Sequence, residues 1–143
     1  MNHMNKQKID DKLLDAYHIL ISLRIADGNG VVAKGFRSQI SSFGSAVLMG
    51  NVTAAVKFFS KADNSVVDRQ KLMIAIYLLI KNTDGHLKRF TTIPQGLDKC
   101  LLECCKSKEI SRDQVLEAAI TIKLALNMFQ IAEESNEGEK ENE

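Results

Sequence analysis

The chain has 143 residues, enough for one modest core and not for two. An apolar fraction of 45% is ordinary for a globular domain, and one proline, no tryptophan and 6% aromatics favour uninterrupted helices packed with Leu, Ile, Val, Ala and Met. A net charge of +1, the lack of any apolar run of membrane-spanning length and a polar stretch from Met1 to Lys12 weigh against membrane and export classes.

The first helix is predicted from Gln7 to Ala26. Ile9, Leu13, Ala16, Leu20 and Leu23 recur at three- and four-residue steps, and Tyr17 and Ile21 widen the same face. Asp27-Gly28-Asn29-Gly30 breaks the pattern with residues that suit turns. A second helix, Val32 to Met49, carries the apolar stripe Phe36, Ile40, Phe43 and Val47 opposite Arg37, Ser38, Ser41, Ser42 and Ser45. Gly50-Asn51 ends it, and Asn51 or Thr53 can cap the next helix.

The third helix is short, Val52 to Ala62, with Ala55, Phe58, Phe59 and Ala62 expected to face inward and Lys57 and Lys61 outward. A turn at Asp63-Asn64-Ser65 leads to a fourth helix, Val66 to Lys81, burying Leu72, Met73, Ile76, Leu79 and Ile80. His86 to Gln95 reads as a loop, and a fifth helix runs from Pro94 or Gln95 to Lys106. Ser111-Arg112-Asp113-Gln114 matches a capping box and opens a last helix to Glu133, with Val115, Ala119, Ile122, Leu126 and Phe129 on one face. No strand is expected. The fold class is all-α, a compact bundle of five to six helices. Residues 1–6 form a flexible N-terminus, 7–134 a single helical-bundle domain and 135–143 a disordered acidic tail.

Charge is unevenly spread. From Glu133 onward six glutamates face one Lys140, a net −5, so the rest of the chain carries +6. A basic body with an acidic tail is common among proteins that meet polyanions, but composition alone favours an ordinary domain with a solubilising tail.

Cys100, Cys104 and Cys105 are odd in number and clustered, which fits a reducing, cytoplasmic setting and argues against a disulfide framework. Zinc takes four ligands, and no second knuckle accompanies these thiols, so they are expected in the core. His3, His18 and His86 have no triad or metal partner in the sequence. The Asp27–Gly30 and Asn82–Gly85 segments lack a phosphate loop's lysine and an EF-hand's closing acid. Asp10-Asp11 fits a helix's first turn better than catalysis. No cofactor, no metal and no enzyme activity is implied. What remains is basic charge: Lys34, Arg37, Lys57, Lys61, Arg69, Lys71, Lys88, Arg89 and Lys99. Such groups neutralise phosphates and displace counterions, while serine hydroxyls bond phosphate oxygens without reading bases.

One stretch has a family look. Phe36-Arg37-Ser38-Gln39-Ile40-Ser41-Ser42-Phe43-Gly44, Val47-Leu48-Met49-Gly50-Asn51 and Ala54-Ala55-Val56-Lys57-Phe58-Phe59-Ser60-Lys61 resemble the small all-helical subunit of the type III-B CRISPR (Cmr) effector complex. Glu117-Ala118-Ala119, Ile122-Lys123 and Ile131-Ala132-Glu133 fall where that family has its last helix. The chain departs from it at Gly50-Asn51-Val52, where the family order is Asn-Gly-Leu, and at Leu124-Ala125-Leu126, where the family has an aromatic. The type III-A small subunit is the neighbouring alternative.

The resemblance implies a non-catalytic subunit of an antiviral ribonucleoprotein. Its partners would be other subunits, copies of itself in a stacked filament, and guide or target RNA held by its backbone, with sequence left to guide pairing. Arg37, Lys57 and Lys61 are then the first candidate phosphate contacts, with Lys34 and Arg69 as additions. Few aromatics are expected at the surface, which argues against base stacking. The competing reading is an RNA-independent adaptor that holds partner helices in an apolar groove.

Overall fold

A computed structural model of the chain describes residues 6–61, 68–81 and 96–132. Among them are six helices: α1 (Lys6–Ser22), α2 (Lys34–Met49), α3 (Val52–Phe59), α4 (Arg69–Lys81), α5 (Leu97–Lys106) and α6 (Arg112–Leu126). Two very short strands, β1 (Val31–Val32) and β2 (Gln130–Ile131), join them. The all-α bundle read from the periodicity is the observed fold. The loop from His86 to Gln95, the turn at Asp63-Asn64-Ser65 and the acidic tail from Glu133 lie outside the described residues.

Helix α6 is the centre of the packing, touching α1, α2 and α4. Val115, Ala118, Ala119, Thr121, Ile122, Ala125 and Leu126 are all buried, so more than one of its faces is covered. Alanines at 118, 119 and 125 let neighbouring backbones come close. Thr121 stays satisfied inside because its hydroxyl donates to the Glu117 carbonyl at 2.8 Å. The capping box at its start is real: the Ser111 side chain accepts from Gln114 N–H, and Gln114 accepts from Ser111 N–H at 2.8 Å. Around α6 the stripes of α1, α2 and α4 close one core that includes Ile19, Leu20, Phe43, Leu72, Met73, Ile76 and Leu79.

Three helices end sooner than the periodicity predicts: α3 at Phe59 instead of Ala62, and α1 and α6 by more. Helix α1 stops at Ser22 because Arg24 takes a left-handed conformation, φ 62°. The N–H groups of Ile25 and Ala26 both then donate to the Leu20 carbonyl, and both side chains are buried. A straight continuation would not fold these residues back onto the core. Helix α6 stops at Leu126, where Asn127, Met128 and Phe129 tighten into three-residue hydrogen bonds. That turn lays Phe129 flat on Tyr17, with ring centroids 4.7 Å apart and planes 4° from parallel.

The strands correct the strand-free expectation. The Asp27 carboxylate accepts from the N–H groups of Asn29 and Val31, at 2.8 and 2.9 Å, and Gly30 takes a positive φ of 76°. This turn delivers Val31-Val32 to pair in parallel with Gln130-Ile131. The pair is only two residues long, too short for an alternating pattern to announce it. Its effect is to tie the start of α2 to the end of α6.

The two-residue connection Gly50-Asn51 folds α3 back along α2, bringing Phe59 edge-on to Phe43 at 5.3 Å. Of the two caps available, Asn51 is used: its side chain accepts from Ala54 N–H at 3.0 Å. Lys12 of α1 donates to the Leu79 carbonyl at 3.0 Å, satisfying one open acceptor in the last turn of α4.

Enlarging a fully buried small residue of α6 tests its central place. Ala125→Leu is expected to lower stability by about 1–3 kcal/mol through overpacking, and Ile122→Ala by about 2–5 kcal/mol through cavity formation. Lys108, held at φ 67°, gives the opposite sign: Lys108→Gly is expected to raise stability by up to about 1 kcal/mol. Chemical denaturation monitored by circular dichroism reads all three.

Candidate nucleic-acid interface

The α2–α3 hairpin is electrically one-sided. Between Asp27 and Asp63 the chain has no acidic residue, while it carries Lys34, Arg37, Lys57 and Lys61. All four cations are exposed. Core packing dictates this, because Phe36, Ile40, Phe43 and Val47 of α2 and Ala55, Val56 and Phe59 of α3 take the inward positions. Ser38, Ser42 and Ser45 are exposed on the remaining surface of α2, with Ser41 half-buried.

The five candidate cations fall into two groups. Lys34 and Arg37 stand on the first turn of α2, which the strand pair holds beside the end of α6. Lys123 of α6 joins them: it is exposed and lines a groove with Ile40, one turn beyond Arg37. Its part in this patch is invisible in the sequence, since it depends on α2 and α6 lying side by side. Lys57 and Lys61 form the second group at the end of α3. Lys57 is in the last turn, where it also offsets the negative end of the helix dipole. Lys88 and Arg89 lie outside the described residues.

Arg69 belongs to the second group by position but not by exposure. It is only 8% exposed, with its guanidinium 4.8 Å from the Phe58 ring centroid and 5.1 Å from that of Phe59. The expectation of a surface phosphate contact at Arg69 is therefore corrected. Its planar cation is weakly hydrated and stacks on aromatic faces, so it packs α4 against α3. Gln70 supports the same junction by donating to the Ser60 carbonyl at 2.6 Å.

The expectation that both Phe58 and Phe59 face inward also fails. Consecutive helical side chains diverge by about 100°, and at the end of α3 the core takes Phe59 and leaves Phe58 outside. Phe59 is buried and Phe58 is 54% exposed. Its ring sits at 71° to that of Phe59, 5.5 Å away. An exposed aromatic thus stands between Lys57 and Lys61 in the sequence.

A groove of about 240 Å³ runs between α2 and α6, lined by Ile40, Gly44, Leu48, Leu116, Ala119 and Ile120 together with Ser41, Ser45 and Lys123. Leu48 and Ile120 on its walls are exposed. This is the apolar groove that an adaptor would need.

Cys100 and Cys104 lie elsewhere, between α4 and α5, in an open groove of about 390 Å³ with Tyr77, Lys81, Lys99, Glu103 and Glu109. Only Cys105 is buried; Cys104 is half-buried and Cys100 exposed, so the core expectation holds for one of three. Burial pushes the Cys105 thiol up to about 11, with the neighbouring Cys104 adding to the rise. Cys104 is raised too, by desolvation first and then by the Glu109 carboxylate. Lys81 donates to Glu109 at 2.6 Å, which lowers the Glu109 carboxyl and raises the Lys81 ammonium. Both shifted thiols are therefore held neutral, the reverse of what a nucleophile needs. Among the described residues no cluster of three His, Cys, Asp or Glu side chains is placed to hold a metal ion. Nor is any described helix long and apolar enough to cross a membrane.

Comparison of the chain with models of known protein families, with curated proteins and with solved structures found no match.

Cys105 gives a pH test. Its folded value of about 11 lies above the ordinary 9.0, so the folded state keeps a proton that the unfolded chain releases. The contribution is complete below pH 9 and is lost as pH rises towards 11. Between those values, stability is expected to fall less steeply in Cys105→Ala than in the wild type, as read by denaturant midpoints. Alkylation of the native protein near neutral pH, followed by mass spectrometry, is expected to label Cys100 first and Cys105 last.

Proposed function

We propose that the chain is a non-catalytic small subunit of a type III-B CRISPR RNA-guided effector complex, contacting guide or target RNA through its phosphates. The observation that carries this reading is the acid-free α2–α3 hairpin with Lys34, Arg37, Lys57 and Lys61 exposed. Its serines add hydroxyl donors for phosphate oxygens. Backbone gripping of this kind is indifferent to sequence, as an RNA-guided complex requires of a subunit that does not pair with the target. The resemblance of the 36–61 segment to that subunit supports the same assignment and extends it to stacking along the complex beside other subunits and further copies of this chain. The type III-A small subunit is the alternative assignment.

The α2/α6 groove favours a second reading, an adaptor that binds a partner helix without RNA. Exposed Leu48, Met49, Ile120 and Leu124 on or beside the groove are the observation behind it.

Charge reversal at Lys57 and Lys61 separates the two. The double variant Lys57→Glu/Lys61→Glu is expected to weaken RNA retention and to reduce the slope of log affinity against log salt by about 2, one for each lost phosphate contact. Binding unchanged in affinity and slope would remove both lysines from the interface. In pull-downs of the assembled complex, ribonuclease treatment is expected to release this chain from at least part of its partners; an adaptor would keep them all.

A further inference from the structure

We infer that Phe58 is a stacking platform for one unpaired base of a single-stranded nucleic acid, with Lys57 and Lys61 holding the phosphates on either side. This rests on the RNA-binding reading above and adds a contact that phosphate gripping does not include.

The geometry supplies three parts. The ring is open to solvent at 54% exposure, while the adjacent Phe59 is buried. It is also held in place: the Arg69 guanidinium lies over it at 4.8 Å and the Phe59 ring stands edge-on at 5.5 Å. A platform fixed in this way loses little side-chain freedom when a base lands on it. Finally, its surroundings carry positive charge. Lys57 and Lys61 flank Phe58 in the sequence, both are exposed, and no acid lies on α3 to repel a phosphate.

These features suit a polyanion with flat faces better than a protein helix, whose apolar side chains would gain nothing from the two ammonium groups. Every base has a π-face, so the contact tolerates any sequence. It requires an unpaired base, and it would therefore distinguish single strands from a duplex.

Fluorescence anisotropy with labelled oligoadenylate, and with an abasic oligomer of equal length and charge, tests the inference on the full chain. Phe58→Ala is expected to weaken oligoadenylate binding roughly tenfold while leaving the abasic oligomer unaffected. Phe58→Tyr is expected to bind like the wild type, and Phe58→Leu, which keeps apolar area without a π-face, like Phe58→Ala. Circular dichroism of each variant checks that the exposed substitution leaves the fold intact. Equal binding of oligoadenylate by wild type and Phe58→Ala overturns the platform while leaving phosphate gripping in place. Wild-type affinity in Phe58→Leu, or a loss that is the same for the abasic oligomer, also overturns it. Failure of the wild type to bind either oligomer overturns both this inference and the function it rests on.

Discussion

The burial of α6 on more than one face is the constraint from which the rest of the arrangement follows. A helix covered by α1, α2 and α4 together needs small residues where backbones approach, and Ala118, Ala119 and Ala125 provide them. It also needs its one buried hydroxyl satisfied locally, as Thr121 is. With α6 fixed, the apolar stripe of α2 packs against it, α3 and α4, and the opposite side of α2 is left to solvent. The cations of Lys34 and Arg37 and the serine row are outward for that reason, without any contact that holds them out. The same packing brings Lys123 alongside Ile40 and so adds a cation to the patch from a distant part of the chain.

Much of this was legible locally. The apolar spacings of α1, α2, α4 and α6, the capping box at Ser111 and the Gly50-Asn51 break each report a short-range preference, and each is realised. The misreadings share a cause: the deciding contact lies far away in the chain. The left-handed turn at Arg24 goes with the burial of Ile25 and Ala26 in a core built by distant helices. The early end of α6 is set by Tyr17, more than a hundred residues before Phe129. The strand pair needs both of its distant halves to exist at all. Phe58 and Phe59 are a further case, because periodicity cannot choose between adjacent aromatics at a helix end. The choice falls to Phe43, which takes Phe59 and turns Phe58 outward.

Arg69 and the cysteines show how residue type misleads when its partner is unknown. Arginine beside lysine reads as surface charge, yet the Phe58 and Phe59 rings offer Arg69 a covered position that a lysine ammonium, more strongly hydrated, would occupy less readily. The three cysteines read as core by hydrophobicity, but successive steps around α5 distribute them across exposed, half-buried and buried positions. The pair left nearer the surface sits with the Lys81–Glu109 ion pair, whose carboxylate opposes thiolate formation at Cys104. A groove with two thiols and several ionisable neighbours has the look of a reactive site in composition. At Cys104, burial and the Glu109 carboxylate favour the neutral thiol.

The division of labour on α2 is the last step. One helix serves three environments: Phe36, Ile40, Phe43 and Val47 in the core, Ser41, Gly44, Ser45 and Leu48 along the α6 groove, and Lys34, Arg37 and Ser38 in solvent. The groove face uses small residues, which leaves room beside α6 instead of closing it. The solvent face carries charge with no acid to cancel it. A protein whose only task was to be a stable monomer would gain from filling the first and from mixing charges on the second. Both choices instead leave surface open, apolar along the groove and cationic beside it. They meet along a single helix, so under the proposed function a subunit in the groove would stand next to a strand on the cations.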